Sequence, residues 1–216
     1  MISVIIPAHN EADRIGSTLE ELQLLGPDEV IVVNDGSVDG TAEIAEGYPV
    51  KLINLQPARG KGGAVAAGLT EASGGIILLI DADLGPGLQE LLVIVEAVKK
   101  GEAEMALAIL PIAGGGFGLV RSLARLVVWL KTGRIIQAPL SGQRAFNREI
   151  LPLLLPLSPG FGLETGLNID LLQQGFTLKE IPCNLSHRQT GLTVSGFLHR
   201  GGQFLDIIRV LWQKRR

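Results

Sequence analysis

Two acidic residues one apart, Asp81 and Asp83, follow the apolar run Ile76-Ile77-Leu78-Leu79-Ile80. Five apolar residues in a row read as a strand buried on both faces. In an open α/β sheet, ligands sit outside the carboxyl ends of the strands. Two carboxylates held close repel each other, and a divalent cation removes that repulsion. The pair therefore reads as a metal site holding a phosphorylated ligand. An isolated Asp-x-Asp is also what a polar turn with a helix cap would show.

The residues before the pair decide between these readings. Asn10-Glu11 and Asp35-Gly36-Ser37 each follow an apolar segment, so three acid-bearing clusters fall at strand ends. Side by side in a parallel sheet, these ends face one crevice. Asp35 can accept hydrogen bonds from a base or ribose, and Ser37 can donate or accept. Each cluster alone could equally be a cap. Arg59-Gly60-Lys61-Gly62-Gly63 adds cations and open backbone N–H groups at the start of a helix, a natural anion site. Its spacing is not that of a Walker A loop.

The elements that must position these groups alternate. Strands are expected at Ser3–Ile6, Glu29–Val33, Val50–Leu55 and Ile76–Ile80. Helices are expected near Ala12–Leu25, Thr41–Glu46 and Ala64–Glu71. This predicts an α/β fold with a Rossmann-like, mostly parallel central sheet and helices on both faces. Further on, helices are expected at Leu88–Lys99, Leu119–Leu130, Arg148–Leu154 and Leu163–Gln174, with strands at Glu104–Leu110 and Phe176–Leu185. Ser141-Gly142-Gln143-Arg144 reads as a loop or the start of a short strand. One domain over residues 1–216 is expected, with a nucleotide-binding half at 1–110 and an acceptor half at 111–216.

Composition narrows the class. The chain is 46% hydrophobic and 19% charged, with a mean hydropathy of +0.34, which suits a well-covered sheet. A net charge of -3 gives no general polyanion surface, so no nucleic-acid partner is expected. The single cysteine, Cys183, excludes an internal disulfide framework and suits a reducing compartment. No signal peptide is visible, and no apolar run approaches the ~18 residues that span a bilayer. A cytoplasmic location is expected, with the inner face of the membrane as a variant. The stretch Gly196–Arg216 sets Phe197, Phe204, Leu205, Ile208, Leu211 and Trp212 beside Arg200, Arg209, Lys214, Arg215 and Arg216. It reads first as a basic amphipathic helix for packing or homodimerisation, and otherwise as a peripheral membrane contact.

Four blocks carry a resemblance: Val4-Ile5-Ile6-Pro7-Ala8-His9-Asn10-Glu11, Val33 to Thr41, Arg59 to Ala64, and Asp81-Ala82-Asp83. In this order they resemble the A-type glycosyltransferase fold, especially family 2. The resemblance implies a nucleotide-sugar donor. Pro7, Ala8, Asn10, Glu11, Asp35 and Ser37 would line its nucleotide pocket, and Lys61 would lie near the pyrophosphate or base. Asp83, with Asp81, would hold Mg²⁺ or Mn²⁺ on the diphosphate.

The C-terminal half is similar to the glucosyl-3-phosphoglycerate synthases through Gly114-Gly115-Gly116, Ala124-Arg125-Leu126, Ala138 to Gln143, Gly160 to Asp170 and His187-Arg188-Gln189. By that match His187 is a third metal ligand, and Glu164 faces the sugar hydroxyls or the acceptor and works with Asp83 in catalysis. Leu140, Ser141 and Gly142, after Pro139, form the sugar-facing loop. The acceptor would be 3-phosphoglycerate or a similar small phosphorylated molecule. The chain departs from the pattern at Phe117-Gly118-Leu119, where those enzymes carry an Arg and a Thr for the acceptor phosphate, and at Gln143, where they carry Glu. Arg121, Arg125 and Arg144 are the candidate replacements. The rival functions are transfer to a polyprenyl phosphate, nucleotidyl transfer, and an inactive nucleotide-sugar binding module.

Overall fold

The computed structural model describes residues 1–111, 118–158 and 162–185. The glycine run with Phe117, residues Gly160 and Phe161, His187 and the stretch Gly196–Arg216 lie outside the described residues.

Strand β1 (Ile2–Ala8) forms because Val4, Ile5 and Ile6 are β-branched and fully buried, with alternate side chains serving opposite faces. It stops where Asn10 takes a positive φ of 57°, a conformation that asparagine tolerates better than most residues. Helix α1 (Ile15–Leu25) follows and ends at Gly26, whose left-handed backbone lets its N–H reach the Leu22 carbonyl at 3.1 Å. Next come β2 (Glu29–Asp35), α2 (Thr41–Glu46), β3 (Lys51–Leu55), α3 (Gly60–Glu71) and β4 (Ile76–Leu79). A short 3₁₀ turn at Leu88–Leu91 leads into α4 (Leu92–Lys99), and β5 (Met105–Ile109) follows. The remaining elements are α5 (Gly118–Thr132), β6 (Arg144–Asn147), a 3₁₀ turn with α6 (Leu151–Leu154), α7 (Leu163–Gln173) and β7 (Leu178–Pro182).

The seven strands lie in the order β3-β2-β1-β4-β6-β5-β7. All neighbouring pairs are parallel except those of β6, which runs antiparallel to β4 and β5. Two buried clusters cover the two faces. Val4, Ile6, Val32 and Ile80 meet α1 and α4 on one face. Ile5, Ile31, Val33 and Phe146 meet α3, α5 and α7 on the other. Helix α3 lies tight on the sheet at Gly68, where a Cβ would stand 2.6 Å from Ile5 Cγ2. Glycine lets the helix sit this close to β1.

The expected mostly parallel α/β sheet with helices on both faces is the observed one. One boundary differs for a physical reason: the glycine-rich stretch is the first turn of α3, since Gly60 enters the helix at φ 73° and Lys61 is already helical. The segment that read as a loop or strand start is both, with Ser141 to Gln143 a loop and Arg144 opening β6 opposite Leu79 of β4.

Candidate functional site at the carboxyl edge of the sheet

Register brings the acid-bearing ends together. Ala8 of β1 lies beside Asn34 of β2, and Ile5 lies beside Leu79 of β4, two residues before Asp81. The β1–α1 and β2–α2 loops are then laced to each other. The Asn10 N–H donates to Ser37 Oγ at 3.0 Å, and the Val38 N–H donates to Asn10 Oδ1 at 2.9 Å. The Glu11 N–H donates to Thr41 Oγ1 at 2.8 Å. His9 Nδ1 lies 2.6 Å from the Asp35 carbonyl oxygen. Asp35 itself is buried, and its Oδ1 accepts the Arg59 N–H at 2.6 Å, which fixes the entry to α3. Asn10, Asp35 and Ser37 are thus brought to one edge with part of their polar capacity bound into loop architecture.

The centre of the site is a cation between two carboxylates. Lys61 Nζ, in the first turn of α3, stands 2.7 Å from Asp81 Oδ1 and 2.7 Å from Glu164 Oε1. Burial works to lower the Lys61 pKa, but Asp81 and Glu164 outweigh it and hold the ammonium above the ordinary lysine value. Gln143, just before β6, donates from Nε2 to Asp81 Oδ2 at 2.8 Å. Gly142 is packed so closely on Asp81 that an added Cβ would overlap the carboxylate. A small cavity here is lined by Pro7, Lys61, Asp81, Gly142, Arg144 and Glu164.

Arg144 closes the floor of this cavity at 1% exposure. Its Nη2 donates to the Ser141 carbonyl at 2.5 Å and its Nη1 to Asn168 Oδ1 at 3.3 Å. Asn168 in turn donates to the Pro139 carbonyl at 3.0 Å. Burial pulls the Arg144 pKa down to about 10, against the nearby charges of Glu164 and Asp81, so it stays protonated at neutral pH. The Pro139–Gly142 loop is held from both sides, because the Glu180 carboxylate accepts the N–H groups of Gln137 and Ala138 at 2.9 and 2.7 Å. Within it, Leu140 packs on the core and the Ser141 hydroxyl donates to the Ala108 carbonyl at 2.8 Å. Gly142 is the member of this loop that meets Asp81.

Asp83 lies on the other side of the pair, where Arg14 Nη1 is 3.6 Å from Asp83 Oδ2 and 3.6 Å from Glu11 Oε2. Burial, then the charge of Asp83, push the Glu11 pKa up, Asp81 and Asp39 add to the rise, and Arg14 opposes it. That rise reports first the burial of Glu11 and second the negative charges of Asp83, Asp81 and Asp39 beside it. Glu11, Asp81 and Asp83 are hard oxygen donors, the set that Mg²⁺ and Mn²⁺ prefer. Among the described residues no three such groups stand in ready ligand geometry. The fit is therefore to a cation held by part of this carboxylate set, with further ligands from a substrate.

Sequence reasoning treated Arg144 and Arg125 as candidate phosphate contacts. In the structure Arg144 spends two guanidinium nitrogens internally, and Arg125 donates from Nε and Nη2 to the Gln137 carbonyl at 3.2 and 2.5 Å. Arg14 and Asn168 were not singled out. Glu164, Thr165 and Asn168 are polar in a helix with buried residues all round: Glu164 pairs with Lys61, Asn168 with Arg144 and the Pro139 carbonyl, and the Thr165 hydroxyl has no hydrogen-bond partner among the described residues.

The profile of glycosyl transferase family 2 matches residues 3–151. A glucosyl-3-phosphoglycerate synthase of Mycobacterium tuberculosis is 33% identical over 196 residues, covering 78% of this chain and 60% of that protein. A dolichol-phosphate mannosyltransferase of Pyrococcus furiosus is 32% identical over 170 residues, covering 69% of this chain and 47% of that one. The chain thus spans 60% of the length of the first of these curated relatives and 47% of the second. Among solved structures, glucosyl-3-phosphoglycerate synthase from Mycobacterium tuberculosis in complex with Mn²⁺, UDP-glucose and phosphoglyceric acid superposes with a TM-score of 0.79 at 28% identity. That match covers 98% of this chain and 79% of that one. With the family profile spanning the strand ends and loops that carry Glu11, Asp35, Asp81 and Asp83, the chain belongs to glycosyl transferase family 2.

Proposed function

We propose that the chain transfers a hexosyl group, glucose foremost, from a UDP-sugar to a small phosphorylated acceptor of the 3-phosphoglycerate type. The observation that carries this reading is Lys61 held between Asp81 and Glu164, next to Asp83. Carboxylates accept hydrogen bonds from sugar hydroxyls, and an ammonium in the same cavity attracts a diphosphate. The names of the relatives, with Mn²⁺, UDP-glucose and phosphoglyceric acid bound to one of them, support the choice of donor and acceptor.

In the reaction the acceptor hydroxyl oxygen forms a bond to the anomeric carbon as the bond to the diphosphate oxygen breaks, and the hydroxyl proton leaves to the departing diphosphate. Negative charge grows on the departing nucleoside diphosphate. Asp83 and Asp81, with Glu11 and His187 as further donors, would hold Mg²⁺ or Mn²⁺, which when bound offsets that charge. Lys61 adds a fixed positive charge at the same place and costs little reorganisation, because its two carboxylates already orient it. Glu164 and Asp81 orient the sugar once Lys61 shares its contacts with the donor. Asp35, Asn10 and Ser37, with Pro7 and Ala8, present the nucleotide side of the crevice. The buried Arg144–Asn168–Ser141 bonds keep Gly142 against Asp81 and exclude water from beneath the sugar. Residues 1–110 then serve the nucleotide side, while Gly142 and Glu164 from 111–216 complete the sugar end and the rest of that half serves the acceptor, in a reducing, cytoplasmic setting that suits the lone thiol Cys183.

A donor screen by thermal shift with Mn²⁺, followed by acceptor screening with phosphorylated three-carbon acids, tests the proposal. Release of UDP together with a new glycoside supports it. Release of pyrophosphate would point to nucleotidyl transfer, and binding without turnover to a binding module. Transfer to a polyprenyl phosphate is the second reading, favoured by one observation, the exposed apolar face of α5. A product that partitions into organic solvent would establish it.

A further inference from the structure

Helix α5 has a second face that the catalytic site does not use. Val120, Ala124, Val127 and Val128 anchor it in the core. On the opposite side Leu119 is 83% exposed, Leu126 48%, Trp129 49% and Leu130 49%, and Ile135 just past the helix is 80% exposed. At helical spacing Leu119, Leu126 and Leu130 form one stripe, with Trp129 beside it. Monomeric proteins expose apolar residues singly, whereas a contiguous stripe of this size marks a surface that meets something apolar.

Charge says what that is. From Met105 to Arg148 the sequence holds Arg121, Arg125, Lys131, Arg134, Arg144 and Arg148 and no acidic residue, in a chain whose net charge is -3. Arg144 is buried in the donor cavity and Arg148 donates to the Ser73 carbonyl, which leaves Arg121, Arg125, Lys131 and Arg134 as the positive charge on and just after α5. Arg121 and Arg125 flank the apolar stripe, and Lys131 and Arg134 lie at its far end. A two-fold contact between copies would set the same cations against one another, which costs energy on both sides. An anionic lipid surface has the complementary sign, and its interface accepts Leu and Trp side chains among the headgroups.

We infer that the outward face of α5, with Ile135, docks on an anionic phospholipid surface. The surface is formed by α5 and Ile135. Docking would set the carboxyl edge of β5, where α5 begins one short connection later, beside the bilayer.

The test is flotation of the full chain with vesicles of phosphatidylcholine alone or of equal parts phosphatidylcholine and phosphatidylglycerol. The expected result is partition onto the anionic vesicles only, weakening as salt rises. A Leu126→Ser/Trp129→Ser/Leu130→Ser variant should lose at least about tenfold in partition, as the loss of three interfacial anchors implies. An Arg209→Ser/Arg215→Ser/Arg216→Ser variant should keep most of it. Should the first variant fail to fold, Trp212→Phe leaves Trp129 as the sole tryptophan, and bromine-labelled lipid should quench its emission. The inference is overturned if the unaltered chain stays unbound, if the α5 variant floats like it, or if Trp129 is not quenched. It is equally overturned if light scattering finds a dimer that the α5 variant dissolves while vesicles bind neither protein.

Discussion

Lys61 and Glu164 meet at 2.7 Å although each sits in the first turn of a different helix, α3 and α7. A carboxylate is favoured at a helix N-terminus and an ammonium is not. The Lys61 position is therefore sustained by its carboxylate partners, and the ion pair with Asp81 at the same distance completes the set. Replacing Lys61 with Met should lower kcat/KM for UDP-glucose by at least about 100-fold, since a charge poised for the developing diphosphate is removed. Steady-state kinetics with the active donor measure this. A loss below fivefold would remove Lys61 from the donor site.

Asp83 should matter through the cation. With Mn²⁺ present, Asp83→Asn is expected to weaken UDP binding by at least about 30-fold, and without metal to leave it nearly unchanged. Calorimetry under both conditions separates the two contributions. Equal affinity for Mn²⁺-UDP in variant and parent would exclude Asp83 as a ligand.

Glu11 gives a pH signature. Its folded pKa is raised above the ordinary 4.5 by burial and by Asp83, so the folded state binds its proton more tightly than the unfolded state. The stability it contributes is full below 4.5 and is lost as pH rises through the folded pKa. In metal-free protein, Glu11→Gln should therefore flatten the fall in melting temperature above that pH. Added Mn²⁺ should stabilise the parent more than the variant. Thermal melts at a series of pH values, with chelator and with Mn²⁺, read both effects.

Gly142→Ala should act on the donor and Gly68→Ala on the fold. The first places a methyl on the Asp81 carboxylate, and the second drives one into Ile5 Cγ2 from 2.6 Å. Overpacking at Gly68 should cost about 1–3 kcal/mol by chemical denaturation, with the KM for donor unchanged. Gly142→Ala should raise that KM at least about tenfold by turning Asp81 away from Lys61. A variant pair in which both effects fell on stability alone would argue against Gly142 as part of the donor pocket.

The sheet was legible because its strands are written as apolar runs. Val4-Ile5-Ile6, Val30 to Val33 and Ile76 to Ile80 have no other plausible use, and the acids that follow them mark the site edge. β6 was harder to read because it opens with Arg144, and a charged residue ordinarily argues against a buried strand. The bonds to the Ser141 carbonyl just upstream and to Asn168, in the later helix α7, make that burial tolerable. Arg14 was missed for a related reason. Its spacing looks like the exposed side of α1, and its pairing with Asp83 depends on β4, about seventy residues on. Asp35 could be read as a polar group at the crevice, but nothing local tells that one of its oxygens is committed to the Arg59 N–H.

The reversed direction of β6 has an effect on assembly. Because it runs against β4, it presents its leading end to the carboxyl edge, so Gln143 reaches Asp81 before the strand begins. The four side chains that meet there, from α3, the end of β4, the approach to β6 and α7, span residues 61 to 164. No fragment ending before β6 can hold Asp81 from both sides. Competence for the donor should thus appear late in refolding, as one cooperative event, and a chain cut in the β5–α5 connection should regain it only when both pieces are present.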